Sequence, residues 1–101
     1  MIFGSASFEV WPEELEACLD AIHTFVDRVR QEPGTRSYVS LRASAEPTRF
    51  LHLFAFEDEA ARDAHASSEA VREFTAALYP RCVAPVAFDE YVEVDRAGSA
   101  H

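Results

Sequence analysis

Three glycines are scattered through the 101 residues, and none sits in a run that would wrap a phosphate, so a nucleotide cofactor is not expected. Cysteine is scarcer still. Cys18 and Cys82 lie far apart and form no Cys-x-x-Cys pair, which removes the zinc and thioredoxin-like readings and leaves two buried free thiols as the expectation. Positive charge is also in short supply: nine Lys plus Arg stand against eighteen Asp plus Glu, a net charge of −9, and the basic residues come singly. Neither nucleic acid nor an anionic membrane surface is an expected partner for such a chain. No apolar run approaches the roughly 18 residues of a membrane span. Met1-Ile2-Phe3-Gly4 carries no basic leader, so a cytoplasmic location is expected.

Motifs for metal and nucleophile chemistry are missing as well. His52 and His65, even with Glu57 beside them, lack the His-x-x-x-His or His-x-Glu spacing that sets two ligands on one face, so no metal is expected. Gly4-Ser5-Ala6-Ser7 is not a Gly-x-Ser-x-Gly elbow, which sets serine hydrolysis aside.

What is present fits one globular domain. Hydrophobic residues make up 49% and charged ones 27% of the chain, near the globular average. The domain is expected over residues 1–95, with residues 96–101 as a flexible polar tail. From Ile2 to Val10, Ile2, Gly4, Ala6, Phe8 and Val10 alternate with more polar neighbours, the period of a strand with one apolar face. Pro12 and the following glutamates suit a helix start. Leu15, Leu19, Ile22, Val26 and Val29 then mark one face of a helix expected over residues 12–31, ended by Glu32-Pro33-Gly34. A second strand runs from Thr35 to Ala43, with Val39 and Leu41 on one side and Tyr38 and Ser40 on the other.

The next strand, Arg49 to Phe56, is apolar on both sides: Phe50, His52, Phe54 and Phe56 alternate with Leu51, Leu53 and Ala55. Such a strand needs cover on both faces. The helices of a chain this short cover one face of a small sheet, so a second copy packed sheet to sheet is expected over the other, a homodimer. Asp58 suits an N-cap for Glu59 to Ala66, and Ser67 or Ser68 for a further helix bearing Val71, Phe74 and Leu78, ended at Pro80. A last strand is expected from Val83 to Asp95. The order β-α-β-β-α-β, with the second helical region broken in two, is the ferredoxin-like α+β pattern with a four-stranded antiparallel sheet.

Two stretches go beyond the fold. Glu32-Pro33-Gly34 followed by Tyr38, and Phe50-Leu51-His52-Leu53-Phe54-Ala55-Phe56-Glu57-Asp58-Glu59-Ala60-Ala61 ending in Ala64-His65, with Phe74 beyond, resemble the antibiotic biosynthesis monooxygenase domain family over nearly the whole chain. The resemblance implies a dimeric α+β barrel with a pocket between helices and sheet in each subunit. Characterised members include cofactor-free oxygenases of polyketide-derived aromatic phenols, quinol oxygenases and haem-degrading relatives. Where many members carry a Glu two residues before a Trp, this chain carries Phe54 and Phe56, which makes the pocket more apolar. The haem-degrading pattern of Asn, Trp and axial His falls near Ser5 or Ser7, at His65, and at Phe74 or Thr75. With no His from Glu69 to Tyr79, haem ligation of that style is not expected.

Cofactor-free oxygenation needs a base, an apolar aromatic cage and exclusion of water. His65 is the candidate base, because an unperturbed imidazole with a pKa of about 6.5 is largely neutral near pH 7. Its competing reading is a helix-end histidine that bonds a backbone carbonyl or donates its N–H to a nearby strand. Tyr38, Phe54, Phe74 and Tyr79 are the candidate cage, and His52 joins the lining with a satisfied core or interface histidine as its alternative. His23 reads as helix surface, His101 belongs to the tail, and Trp11 is either a hydrophobic staple or a pocket lid. The expectation is therefore a cofactor-independent monooxygenase using dioxygen on an aromatic phenol or quinol. Two rivals stay open, a non-catalytic module that binds a small aromatic molecule and an acid-base polyketide cyclase of the same fold.

Overall fold

The computed structural model describes residues 1–98. Four strands, β1 (Ile2–Glu9), β2 (Thr35–Arg42), β3 (Arg49–Phe56) and β4 (Ala87–Tyr91), form one sheet in the order β2-β3-β1-β4. Every neighbouring pair is antiparallel. The helices are α1 (Leu15–Val29), α2 (Glu59–Ala66) and α3 (Glu69–Leu78), so the expected β-α-β-β-α-β order with a divided second helical region is the fold observed.

Side-chain alternation decides which sheet face the helices cover. In register, Gly4 lies opposite Phe54, Ala6 opposite His52 and Phe8 opposite Phe50 on β1 and β3. Tyr38 and Ser40 of β2 continue the Phe54 and His52 rows, and Phe88 of β4 continues the Ala6 row. Cys18, Ile22, Phe25 and Val29 of α1 and Ala70, Phe74 and Leu78 of α3 pack with Phe8, Val10 and Phe50 into the core. Phe25 and Phe74 stack at 4.3 Å between centroids and 6° between planes, clamping α1 to α3. A pair of this kind is worth about 0.5–1.5 kcal/mol beyond its burial.

Two glycines are required by close approach. A Cβ on Gly4 would stand 2.3 Å from Cε2 of Phe54, and one on Gly34 would stand 2.4 Å from the Cβ of Ala61. Gly4 thus lets the Phe54 ring lie across β1, and Gly34 lets α2 settle against the turn that precedes β2. Asp58 caps α2 by accepting from the Ala61 N–H at 2.9 Å, and Ser68 caps α3 by accepting from the Val71 N–H at 3.2 Å. Ser67 donates instead to the Asp63 carbonyl, which closes α2.

Two expected boundaries move. The helix expected from residue 12 opens with a 3₁₀ turn, Pro12–Glu14, and becomes α-helical at Leu15, ending at Val29. The last strand is much shorter than Val83 to Asp95. It pairs only with β1, Ala87 opposite Ser7 and Tyr91 opposite Phe3, so past Tyr91 it soon runs off the start of β1. Pro85, which has no N–H to donate, precedes it. Val92 and Val94 are consequently 85% and 96% exposed rather than strand residues. Of the tail expected over residues 96–101, residues 99–101, His101 among them, lie outside the described residues.

The sheet's other face carries Val39, Leu41, Leu51 and Leu53, each between 38% and 43% exposed. The two-sided apolar strand is therefore real, with one side under the helices and the other open in the single chain.

Candidate functional site

A partly open cavity of about 250 Å³ lies between the helices and the covered face of the sheet. Tyr38, His52, Phe54, His65, Phe74 and Tyr79, the candidate residues read from the sequence, all line it. Phe25, Phe56, Arg62 and Phe88 line it too, and of these Phe25, Arg62 and Phe88 were not anticipated. The alternation of β1 and β4 already places Phe88 on the covered face, and helical spacing does the same for Phe25. Trp11 is half exposed and is not part of the lining, so it is no lid. A larger groove of about 580 Å³, bordered by Ser7, Leu41, Arg42, Leu51 and Pro85, is shallow and open.

His65 is held from outside its own helix. Its Nδ1 stands 2.8 Å from Oε1 of Glu32, which also accepts from Oγ1 of Thr35 at 2.6 Å. Its partner is the Glu32 carboxylate and neither a backbone carbonyl nor a strand, which corrects that sequence reading. An ionised carboxylate only accepts, so Nδ1 carries the proton and Nε2 of the neutral ring keeps its lone pair. The His65 side chain is 12% exposed and Glu32 20%. Around the imidazole stand Phe56 at 5.0 Å and Phe25 and Tyr38 at 5.9 Å between centroids. The sequence offered one signal for Glu32, a carboxylate directly before the Pro-Gly turn, and it was read only as a helix stop.

His52 is fully buried, with its two ring nitrogens on two hydroxyls: Nδ1 lies 2.8 Å from Oη of Tyr38, and Nε2 lies 2.8 Å from Oγ of Ser40. Burial away from water pushes its pKa down to about 4, so the ring is neutral across the physiological range. Burial, with the nearby Glu32 charge second, raises the Tyr38 phenol above its ordinary value, so Tyr38 too is uncharged. His52 is therefore a buried, fully hydrogen-bonded histidine that stands among the residues lining the cavity.

Arg62 is the cationic residue among those lining the cavity, and it is engaged: Nη1 reaches Oε2 and Oε1 of Glu90 at 3.0 and 3.2 Å, tying α2 to β4 beside the cavity. Hydrogen bonds to Glu90 and Asp63 raise its pKa. What remains inside is an apolar aromatic box whose polar atoms sit on Tyr38, His52, His65, Thr75 and Tyr79. Chemically it suits a neutral or singly ionising aromatic guest better than a carboxylate. Among the described residues no group of three or more His, Cys, Asp or Glu has metal-binding geometry. Haem does not fit these donors, since α3 turns Phe74 and Thr75 toward the cavity and Ser5 and Ser7 fall on the opposite face of β1.

The described helices include none long and apolar enough to cross a membrane. The sequence model of the antibiotic biosynthesis monooxygenase family matches residues 1–77. No curated protein matches the chain. A solved antibiotic biosynthesis monooxygenase superposes with a TM-score of 0.90 at 21% identity, covering 94% of this chain and all (100%) of the other. A Mycobacterium tuberculosis protein gives a TM-score of 0.88 at 21% identity over 96% of this chain and 98% of its own. A conserved Methanosarcina mazei protein gives 0.85 at 20% identity over 89% of each chain. At such identities the structures establish the shared fold, while the sequence match over residues 1–77 carries the family assignment. The chain belongs to the antibiotic biosynthesis monooxygenase family.

Proposed function

We propose that this protein is a cofactor-independent monooxygenase of a small phenol or quinol, with His65 as the base. The observation that carries the reading is the Glu32-held imidazole, free Nε2 included, beside an apolar aromatic cavity. In this scheme Nε2 takes a hydroxyl proton, and the electron-rich anion passes an electron to dioxygen. The radical pair combines to a ring peroxide, whose O–O bond breaks. One oxygen atom stays on the ring and the other leaves as water with the two hydrogens the substrate loses, so no external reductant enters. The apolar aromatic walls limit the water that reaches the peroxide.

The cavity also bounds the substrate. About 250 Å³ exceeds the roughly 150 Å³ that accommodates benzene in an apolar protein cavity and lies just under the usual range for ligand pockets. One ring or a fused pair fits within that space. Oxygen uptake with hydroquinone and naphthoquinol, corrected for autoxidation, tests the reading. A protein-dependent increment that falls in His65→Ala supports it. Saturable binding with no increment transfers the assignment to a binding module, a reading the apolar Phe54 favours. Turnover without oxygen transfers it to a cyclase.

The same proposal includes a homodimer through the open sheet face, because Val39, Leu41, Leu51 and Leu53 form a continuous apolar row across β2 and β3. Two free cysteines suit the cytoplasm, where thiols stay reduced.

A further inference from the structure

We propose that Tyr38, His52 and Ser40 form a proton conduit that connects the cavity to the groove between α1 and β2. The inference rests on the oxygenase reading and extends it to a quinol, whose second hydroxyl needs an outlet once His65 has taken the first proton. Its basis is a chain of two hydrogen bonds, each of 2.8 Å, with a fully buried imidazole at the centre.

Tyr38 and His52 line the cavity, while Ser40, at the far end of the chain, lines the groove and not the cavity; Tyr38 borders the groove as well. The groove is about 460 Å³, open, and lined also by His23 and Asp27 of α1, both exposed, so a proton delivered there meets water and titratable groups.

The partners of His52 explain why the chain reverses. A backbone carbonyl or a carboxylate on one nitrogen would lock the tautomer, as Glu32 locks His65. Hydroxyls donate or accept equally well, so both neutral tautomers of His52 are fully hydrogen-bonded. In one, Tyr38 donates to Nδ1 and Nε2–H donates to Ser40. In the other, Ser40 donates to Nε2 and Nδ1–H donates to Tyr38. Passage between them moves one proton the length of the chain without charging the ring, in keeping with its depressed pKa.

The step balances as follows. The quinol O–H bond breaks and its proton goes to Oη of Tyr38. The Tyr38 proton goes to Nδ1, the Nε2 proton to Oγ of Ser40, and the Ser40 proton to water in the groove. No electron moves in this step. The quinol oxygen is left as an anion facing a Tyr38 hydroxyl that now donates to it. When the peroxide breaks, the same chain run backwards returns the proton, and the sum remains quinol plus dioxygen to hydroxyquinone plus water.

The test needs no turnover. Nitrohydroquinone under argon binds without being oxidised, its ionisation is visible by absorbance, and ¹⁵N-histidine NMR reports which nitrogen carries each ring proton. The expected result is that the His52 proton moves from Nε2 to Nδ1 over the same pH range in which the bound quinol loses its second proton, while His65 stays protonated on Nδ1. Tyr38→Phe uncouples the two titrations. In oxygen uptake, Ser40→Ala lowers kcat at least about tenfold with KM unchanged. A ligand that binds and loses both protons while His52 keeps its tautomer overturns the conduit and leaves the oxygenase reading standing. Absence of saturable binding overturns both.

Discussion

Glu32 and His65, 33 positions apart in the chain, meet at 2.8 Å because the turn after α1 and the C-terminal end of α2 are brought together. Gly34 permits this approach, since any Cβ there would collide with Ala61. The carboxylate thus sets the tautomer of an imidazole whose other nitrogen is free for the cavity.

Replacing Glu32 by Gln keeps an acceptor but removes its charge. Hydrogen bonds to charged groups are worth about 1.5–3 kcal/mol against about 0.5–1.5 for neutral ones, so kcat of oxygen uptake is expected to fall about tenfold. The thermal midpoint is expected to change little. An unaltered rate in Glu32→Gln, with wild type active, removes Glu32 from the mechanism.

His52 makes stability depend on pH. Its folded pKa of about 4 lies below the ordinary value of 6.5, so below that value the unfolded chain binds a proton that the folded chain refuses. Stability is therefore lost as pH falls from about 6.5 towards 4, by an amount on the order of 3 kcal/mol for this group. Urea midpoints at pH 7 and pH 4 measure it. Carboxylates titrate in the same window, so the informative quantity is the difference in slope between wild type and His52→Gln, and equal slopes refute the assignment.

Gly4→Ala acts on the cavity without touching a polar group. The new methyl must displace the Phe54 ring, whose nearest atom would stand 2.3 Å away. Overpacking of this kind costs about 1–3 kcal/mol. Because Phe54 lines the cavity and stacks on Tyr38 at 5.4 Å, naphthol binding should weaken along with the thermal midpoint. Normal binding together with a normal midpoint contradicts this account of Gly4.

The proposed dimer is tested by charge on the open face. Leu53 is 41% exposed in the single chain and sits within the Val39, Leu41 and Leu51 row. Leu53→Glu is expected to leave a folded monomer by circular dichroism and light scattering, while wild type at micromolar concentration runs as a dimer. A wild-type mass of 11.3 kDa in solution ends the proposal.

Strand and helix periodicity are local properties, and they were legible without the fold. The apolar alternation of Ile2 to Val10, the two-sided character of Phe50 to Phe56, and the caps at Asp58 and Ser68 each follow from neighbours a few positions away. The six candidate residues were legible in a mixed sense: alternation put Tyr38, His52 and Phe54 on one side of the sheet, while His65 was singled out by resemblance. Tertiary structure alone decided the rest. The length of β4 depends on where β1 begins, because a strand ends when its neighbour has no more residues to pair. Glu32 becomes the partner of His65, and Ser40 the partner of His52, only when separate elements are packed. Sequence carries periodicity because side-chain direction repeats along a regular backbone. It does not carry hydrogen-bond partners across elements, since those are chosen by how the elements dock.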